Sequence, residues 1–226
     1  MKKEDFPEIY EMVEKLSKQA QIPMPRLYLI EESQPNAFAT GRDPEHAAVV
    51  FTQGLLEKLE KPELEGVIGH ELSHIKNRDI LLSSIVVVLV GVVALISDFF
   101  LRSLIFFGPR RDEMDRGGGF VLILGVIAAI LAPLAATLIQ LAISRKREFL
   151  ADASSAFLTK NPEGLARALE KIASDKTPLK VASSANSHLF IASPLKGEKA
   201  KNWLVKLFMT HPPIEERVKA LREMKI

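Results

Sequence analysis

The sequence predicts a mainly helical α+β fold in which a hairpin of two membrane-spanning helices interrupts one soluble domain with a small antiparallel sheet. Three observations support this prediction: two long runs without a charged residue, three short β-like segments near the N-terminus, and helical spacing of apolar residues elsewhere in the flanks. The domain is predicted to comprise residues 1–79 and 145–226, and the hairpin residues 80–144.

The first flank begins with an amphipathic pattern and continues into β-like segments. Apolar residues at spacings of three and four predict a helix over residues 5–20 that ends near Pro23. Three short segments separated by Ser, Pro, Gly and Asp follow, at 26–30, 36–40 and 47–51. They predict the small antiparallel sheet.

Two helices are predicted between this sheet and the first apolar run. Thr52 is a suitable cap for a short helix ending at Leu59, and Pro62 suits the first turn of the next helix. The second helix carries its apolar side on Leu64, Val67, Ile68, Leu72 and Ile75.

The two apolar runs are each long enough to cross a bilayer. No charge lies between Asp79 and Asp98, or between Arg116 and Arg145, and a spanning helix needs about 20 residues. We place the spans at about 80–97 and 119–143, with a loop at 98–116. The alternative is a buried helical hairpin of a soluble protein, but two such runs would need a larger soluble shell than the flanks provide.

Two crossings place both flanks on the same side of the membrane, where they can build one domain. Basic residues flank the domain side at Lys76, Arg78 and 145–147, and they slightly outweigh those of the hairpin loop. This bias favours a multi-pass protein of the cell membrane whose domain faces the cytoplasm. No signal peptide is visible, because residues 1–14 are charged and lack an apolar core.

After the second run the helical pattern resumes through Glu148 and Leu158 and again over residues 162–174. The stretch 178–201 is predicted to be irregular, and a final helix is predicted over about 212–224, opened by Thr210 or His211.

Composition excludes several classes of site. The formal charge of +2 gives no field that would favour nucleic acid, so we expect no nucleic-acid partner. The chain has no cysteine, which excludes disulfides, thiolate metal sites and a cysteine nucleophile. Metal ligands must therefore be histidines or carboxylates.

The motif H-E-x-x-H occurs at residues 70–74, inside a predicted helix. This spacing places the rings of His70 and His74 one turn apart on one face, where both can bind one ion, and Glu71 beside them can accept a proton from a metal-activated water. The alternative is a helix whose His and Glu residues are merely solvated.

A third ligand is predicted at Glu148. Glu148 and Asp152 lie one turn apart in E-F-L-A-D, so a metal-facing carboxylate and a supporting carboxylate share a face, and Asp152 can orient His70 or His74. His74 and Glu148 also each lie within about 10 Å of a predicted membrane boundary, at 1.5 Å per helical residue. The hairpin should therefore bring the three ligands together around one metal ion.

The order of these motifs resembles the HtpX-type membrane zinc metallopeptidases, relatives of the CAAX prenyl proteases. The resemblance rests on H-E-L-S-H-I-K-N-R-D at 70–79, the two apolar runs, E-F-L-A-D at 148–152 and T-H-P-P-I-E-E-R at 210–217. It implies a gluzincin fold with one Zn²⁺ per chain on His70, His74 and Glu148, and Glu71 as general base. It also implies a cytoplasmic site that cleaves damaged or misfolded membrane proteins, with the bilayer and unfolded polypeptides as partners.

The resemblance also implies roles for residues outside the ligand set. Asn36, Ala37, Phe38 and Ala39 match the family's N-A-F-A-x-G segment, which looks like an edge strand that holds an extended substrate; otherwise it is simply a sheet strand. His211 resembles a histidine that stabilises the oxyanion, with Arg217 fixing its surroundings; otherwise His211 only opens a helix before Pro212.

In one respect the sequence departs from this family. The resemblance implies two further spans before the domain, whereas Met1 is followed almost at once by the first domain helix, which leaves membrane topology and activation open.

Two alternatives to a quality-control protease remain. A membrane-anchored scaffold or chaperone could hold unfolded segments on the edge strand without turnover, and prenyl-protein processing is a nearer alternative. The ligand set also leaves manganese or cobalt open beside zinc.

Overall fold

The computed structural model describes residues 1–107, 119–175 and 211–226, and it divides into two compact units. One unit comprises Met1–Leu81 and Ser144–Ile226, and the other Leu82–Ile143. The predicted irregular stretch at 178–201, the end of the predicted hairpin loop and Thr210 lie outside the described residues. The described elements are α1 (Pro7–Ala20), β1 (Arg26–Ile30), β2 (Ala37–Thr40), β3 (Ala48–Thr52), α2 (Gln53–Lys58), α3 (Lys61–Lys76), α4 (Asp79–Phe107), α5 (Gly119–Thr159), α6 (Pro162–Ser174) and α7 (Ile214–Glu223).

The sheet has three strands in the order β1-β3-β2, and it is mixed. β2 pairs antiparallel with β3, but β1 pairs parallel with β3, from Arg26 opposite Ala48 to Ile30 opposite Thr52. The prediction of a purely antiparallel sheet was therefore wrong for β1. Every residue of β3 is buried whereas β1 alternates, so the most apolar strand takes the centre and separates β1 from β2.

Local capping explains where the helices beside the sheet begin. The Thr52 hydroxyl accepts the Leu55 N–H at 3.3 Å and so caps α2 at the residue predicted from the sequence. The Glu63 carboxylate accepts the Glu60 N–H at 2.9 Å at the start of α3. The second of these caps fixes the start of α3, the helix that carries H-E-x-x-H.

Close packing of α3 fixes its position within the first unit. Gly66 approaches α6 so closely that a Cβ at this position would lie 2.7 Å from the Leu165 backbone nitrogen. The Ser155 hydroxyl, on α5, donates to the Gly66 carbonyl at 2.7 Å. The core around these contacts is built by fully buried apolar residues: Val13, Leu16, Val49, Phe51, Leu55, Val67, Ile68, Leu72, Leu165 and Leu169.

The described part of the second unit is formed by the apolar parts of α4 and α5. Both helices are long and apolar enough to cross a membrane, and few residues of their most apolar stretches are buried, unlike the core helices of a soluble protein. α4 begins at Asp79 but continues to Phe107, so residues 98–107, predicted as loop, are helical. Large exposed apolar residues cover the described part of this unit, among them Val88, Leu95, Phe99, Val121, Ile130 and Ile139.

Candidate metal centre

Helix α3 presents His70 and His74 one turn apart on its buried side. Their Nε2 atoms are 3.1 Å apart, and the rings meet edge to face. His70 is 1% exposed, so its ring is almost completely shielded from solvent. This pair is the arrangement that the H-E-x-x-H spacing predicts.

Helix α5 brings Glu148 to the same point. Its Oε2 lies 3.8 Å from His70 Nε2, and its Oε1 lies 3.6 Å from His74 Nε2. A tetrahedral ion with bonds of 2.0 to 2.1 Å separates its ligand atoms by about 3.3 Å. The three side chains therefore fit one metal ion, and each offers one ligand atom within 4.8 Å of the others.

His70 is oriented by a carboxylate that is itself held by an arginine. The Nδ1 atom of His70 lies 2.9 Å from Asp152 Oδ1. Arg217 donates to both Asp152 oxygens, from Nε at 2.7 Å and from Nη2 at 2.6 Å. Of the two histidines that the sequence offered to Asp152, the structure selects His70, and its Nε2 is thereby directed at the site.

Arg217 also contacts Glu148 and balances its charge. The guanidinium is fully buried, and Nη1 lies 3.0 Å from Glu148 Oε2. Burial alone would raise the pKa of the Glu148 carboxyl, but Arg217 and then His211 outweigh burial and hold that pKa well below its usual value. Glu148 is therefore an ionised carboxylate, the form that binds a metal.

The partner of His74 is Asp79, which sequence reasoning missed. His74 Nδ1 lies 2.7 Å from Asp79 Oδ2. Burial favours the neutral ring, but the hydrogen bond with Asp79 and the charges of Glu148 and Glu71 outweigh it and raise the pKa of His74 to about 9. In the sequence Asp79 is an acidic residue five positions after the second histidine of the motif, a spacing that does not place two side chains on one helical face.

Glu71 and His211 flank the ligands. Glu71 is 3% exposed and follows His70 directly on α3. His211 is partly buried, and its Nδ1 lies 3.3 Å from Glu148 Oε2. The structure thus brings both residues to the ligand cluster, and their catalytic roles remain predictions.

The predicted substrate segment lies at the edge of the sheet. Ala37, Phe38 and Ala39 belong to β2, which contacts α3 and pairs on one side with β3. Asn36 precedes the strand, and its backbone is engaged by Thr52: its N–H donates to the Thr52 hydroxyl at 2.8 Å and its carbonyl accepts the Thr52 N–H at 3.0 Å. Substrate binding by this segment is likewise a prediction.

Comparison with known proteins decides the family. The model of "Peptidase family M48" matches residues 3–225. The chain belongs to this peptidase family. The chain is 53% identical over 222 residues to a "Protease HtpX homolog" of Syntrophobacter fumaroxidans, covering 97% of this chain and 77% of the relative. It is 49% identical over 225 residues to that of Thermoanaerobacter pseudethanolicus, covering 98% of this chain and 73% of the relative.

A solved structure has a similar fold. The crystal structure of S. mikatae Ste24p matches 95% of this chain with a TM-score of 0.62 and 22% identity. The match spans 50% of the Ste24p chain, so this chain corresponds to about half of the length of Ste24p. At this identity the comparison supports the fold alone, a mainly helical α+β architecture.

Family and site together establish a class of activity. The chain is a membrane metalloprotease that acts on polypeptides, with a metal ion as its cofactor. These findings therefore favour a peptidase over a scaffold that binds polypeptides without turnover.

Proposed function

We propose that the chain is a zinc-dependent endopeptidase of the cell membrane that cleaves misfolded or damaged membrane proteins. The observation that carries the proposal is the convergence of His70, His74 and Glu148. Their ligand atoms come from two helices far apart in sequence, and they lie 3.1, 3.6 and 3.8 Å from one another.

Two imidazoles and one carboxylate are a ligand set typical of catalytic zinc, which keeps its fourth position for water or substrate. When bound, zinc supplies Lewis acidity that lowers the pKa of water and polarises the scissile carbonyl. Asp152 supports this assignment, because it holds His70 with Nε2 facing the cluster.

Glu71 is the proposed general base. It is buried beside the ligands, and it is close enough to His74 for its charge to contribute to the raised pKa of that ring. Its carboxylate accepts the proton of the attacking water and then donates that proton to the leaving amine.

His211 is the proposed donor to the developing oxyanion. Its Nδ1 faces Glu148, and Arg217 on the following helix anchors the segment through Asp152. A preformed donor of this kind stabilises charge that develops only in the transition state.

The proposed substrate site is the outer edge of β2. Among the described residues β2 pairs only with β3, so its other edge is available to an extended polypeptide. Backbone pairing gives affinity with little sequence selectivity, which suits a protease that acts on many damaged proteins.

The proposed topology places the domain in the cytoplasm. Lys76, Arg78 and the basic residues 145–147 stand at the domain ends of the two apolar helices. Positive residues near span ends favour the cytoplasmic side.

The decisive experiment for the proposed chemistry is Glu71→Gln. We expect the full chain, purified in detergent, to lose cleavage of casein by about 10²- to 10⁴-fold, because the base is gone, while zinc remains bound at the parent stoichiometry. Glu65→Gln is the matched control, since Glu65 lies on the same helix and pairs with Lys15 at the surface. Cleavage by the Glu71→Gln protein at the parent rate would refute the mechanism, and cleavage insensitive to 1,10-phenanthroline would refute metal dependence.

A further inference from the structure

The end of helix α3 has an unusual backbone that brings Asp79 back toward His74. Arg78 has φ of 55°, in the left-handed region that residues other than glycine rarely adopt. The Arg78 N–H donates to the Ile75 carbonyl at 3.1 Å, and Asp79 then opens α4. Strained backbone of this kind persists where surrounding contacts hold it in place.

Those contacts centre on the Asp79 carboxylate, which is 6% exposed. One oxygen, Oδ2, is 2.7 Å from His74 Nδ1, and the other, Oδ1, accepts from the Arg147 guanidinium. Arg147 Nη2 also donates to the Asn77 carbonyl at 3.2 Å, within the same turn. The carboxylate is therefore shared between a histidine of the cluster and an arginine of α5.

This arrangement repeats the one around the other histidine. His70 is followed outward by Asp152 and Arg217, and His74 by Asp79 and Arg147. Each arginine is also adjacent to Glu148, one by a side-chain contact and the other in the chain. Arg217 contacts Glu148 directly, and Arg147 precedes it in the chain.

We propose that Asp79 and Arg147 are positioning residues of the metal centre, acting on the metal through His74. Asp79 keeps the proton of the neutral ring on Nδ1 and directs Nε2 at the ion, and Arg147 holds Asp79 in place. Because Arg147 lies beside Glu148, the pair also couples the α3 ligands to the α5 ligand. The inference rests on the proposed zinc site, and it adds to that site a support for the second histidine.

The test measures zinc affinity by chelator competition on the full chain in detergent. Loss of an outer-shell partner lowers metal affinity by about 10- to 100-fold. We expect losses of that order for Asp79→Asn and Arg147→Gln, and a smaller loss for Arg147→Lys, which keeps the charge. Because Arg147 acts through Asp79, the double variant should bind zinc no more weakly than Asp79→Asn alone. The d–d absorption of bound Co²⁺ should shift in Asp79→Asn, since the His74 ring is reoriented.

Two controls separate this role from general stability. Lys146→Gln removes the exposed basic residue next to Arg147, and Asp98→Asn breaks an Asp–Arg pair of 2.7 Å on α4; both should bind zinc as the parent does. Parent zinc affinity and an unchanged Co²⁺ spectrum in Asp79→Asn and Arg147→Gln would overturn the inference, even if their thermal midpoints fell. If Arg147→Gln does not fold, Asp79→Asn and Arg147→Lys decide. A parent chain that binds no zinc would instead refute the proposed function.

Discussion

At the scale of single residues, the site depends on charges that are buried together. Arg217 has no exposed surface, and it lies between two acidic residues that are also buried. Asp152 is 3% exposed and Glu148 is 7% exposed. Removing one member of such a group leaves the others charged and unpaired, which costs far more than losing a surface ion pair. Arg217 on α7 thus stabilises the ligand cluster by neutralising the charges of Asp152 and Glu148.

We therefore predict that Arg217→Met destabilises the first unit by about 3 to 5 kcal/mol, because Asp152 and Glu148 lose their buried counter-charge. Thermal unfolding of the full chain in detergent, without added metal, measures the effect. Arg222→Met is the control: Arg222 pairs with Glu163 and Glu170 at the surface of the same region, and its loss should change the midpoint much less. Equal shifts for the two variants would contradict the prediction.

At the scale of elements, the position of α3 determines where the two histidines lie. Gly66 allows α3 to approach the start of α6, since a Cβ there would meet the Leu165 backbone nitrogen at 2.7 Å and its Cα at 2.9 Å. Backbone cannot move aside as a flexible side chain can, so a larger residue must separate the helices.

Gly66→Ala should consequently reduce the free energy of unfolding by an overpacking cost of about 1 to 3 kcal/mol, despite the better helix propensity of alanine. The thermal midpoint should fall accordingly. Gly91→Ala is the matched control in α4, because among the described residues no atom beyond its chain neighbours and its own helix backbone lies within 4 Å of a Cβ built there. A midpoint for Gly66→Ala equal to that of Gly91→Ala would show that the contact between α3 and α6 is not tight.

The elements also show what the sequence could predict and what it could not. Periodicity and capping predicted α1, β1, α2, α3 and α6 closely, because these signals are local. The cap at Thr52 and the prolines in the first turns of α3 and α6, Pro62 and Pro162, can be identified in the chain itself. Neighbours in the sheet are not local, and the sequence did not reveal that β1 would lie beside β3. The helical extension to Phe107 was not predicted because the apolar run ends at Asp98, although Asp98 forms an i,i+4 ion pair with Arg102 on the helix.

For the site, the local motif predicted more than the long-range contacts. His70, His74 and Glu148 were grouped from spacing, and the structure brings them together. Asp79 was missed because five positions do not share a helical face; its contact depends on the left-handed turn at Arg78, for which arginine gives no sequence signal. The choice of His70 for Asp152 likewise required the tertiary packing of α3 against α5.

At the scale of the whole molecule, the two units differ in their surfaces. The first unit buries an apolar core and exposes charge, whereas the described part of the second exposes large apolar residues such as Val88, Leu95 and Phe99. We propose that residues 1–79 and 145–226 form the protease domain and that residues 80–144 form the membrane hairpin.

The absence of cysteine makes the proposed topology directly testable. In intact cells, a membrane-impermeant maleimide should label Arg102→Cys, on the far side of the first span, and should label Lys219→Cys only after permeabilisation. Both positions are well exposed, with side chains 67% and 75% accessible. The reverse pattern would place the domain outside the cytoplasm and contradict the proposed orientation.

The measurement that tests the central claim most directly is the zinc content of the full chain and its Glu148→Gln variant, purified without added metal and analysed by elemental mass spectrometry. We predict one zinc per chain for the parent and for the surface control Glu223→Gln. Glu148→Gln should lose most of its zinc, because a neutral amide replaces the carboxylate that is the third ligand beside the two imidazoles. Full zinc occupancy in Glu148→Gln, with affinity equal to that of the parent, would contradict the three-ligand centre.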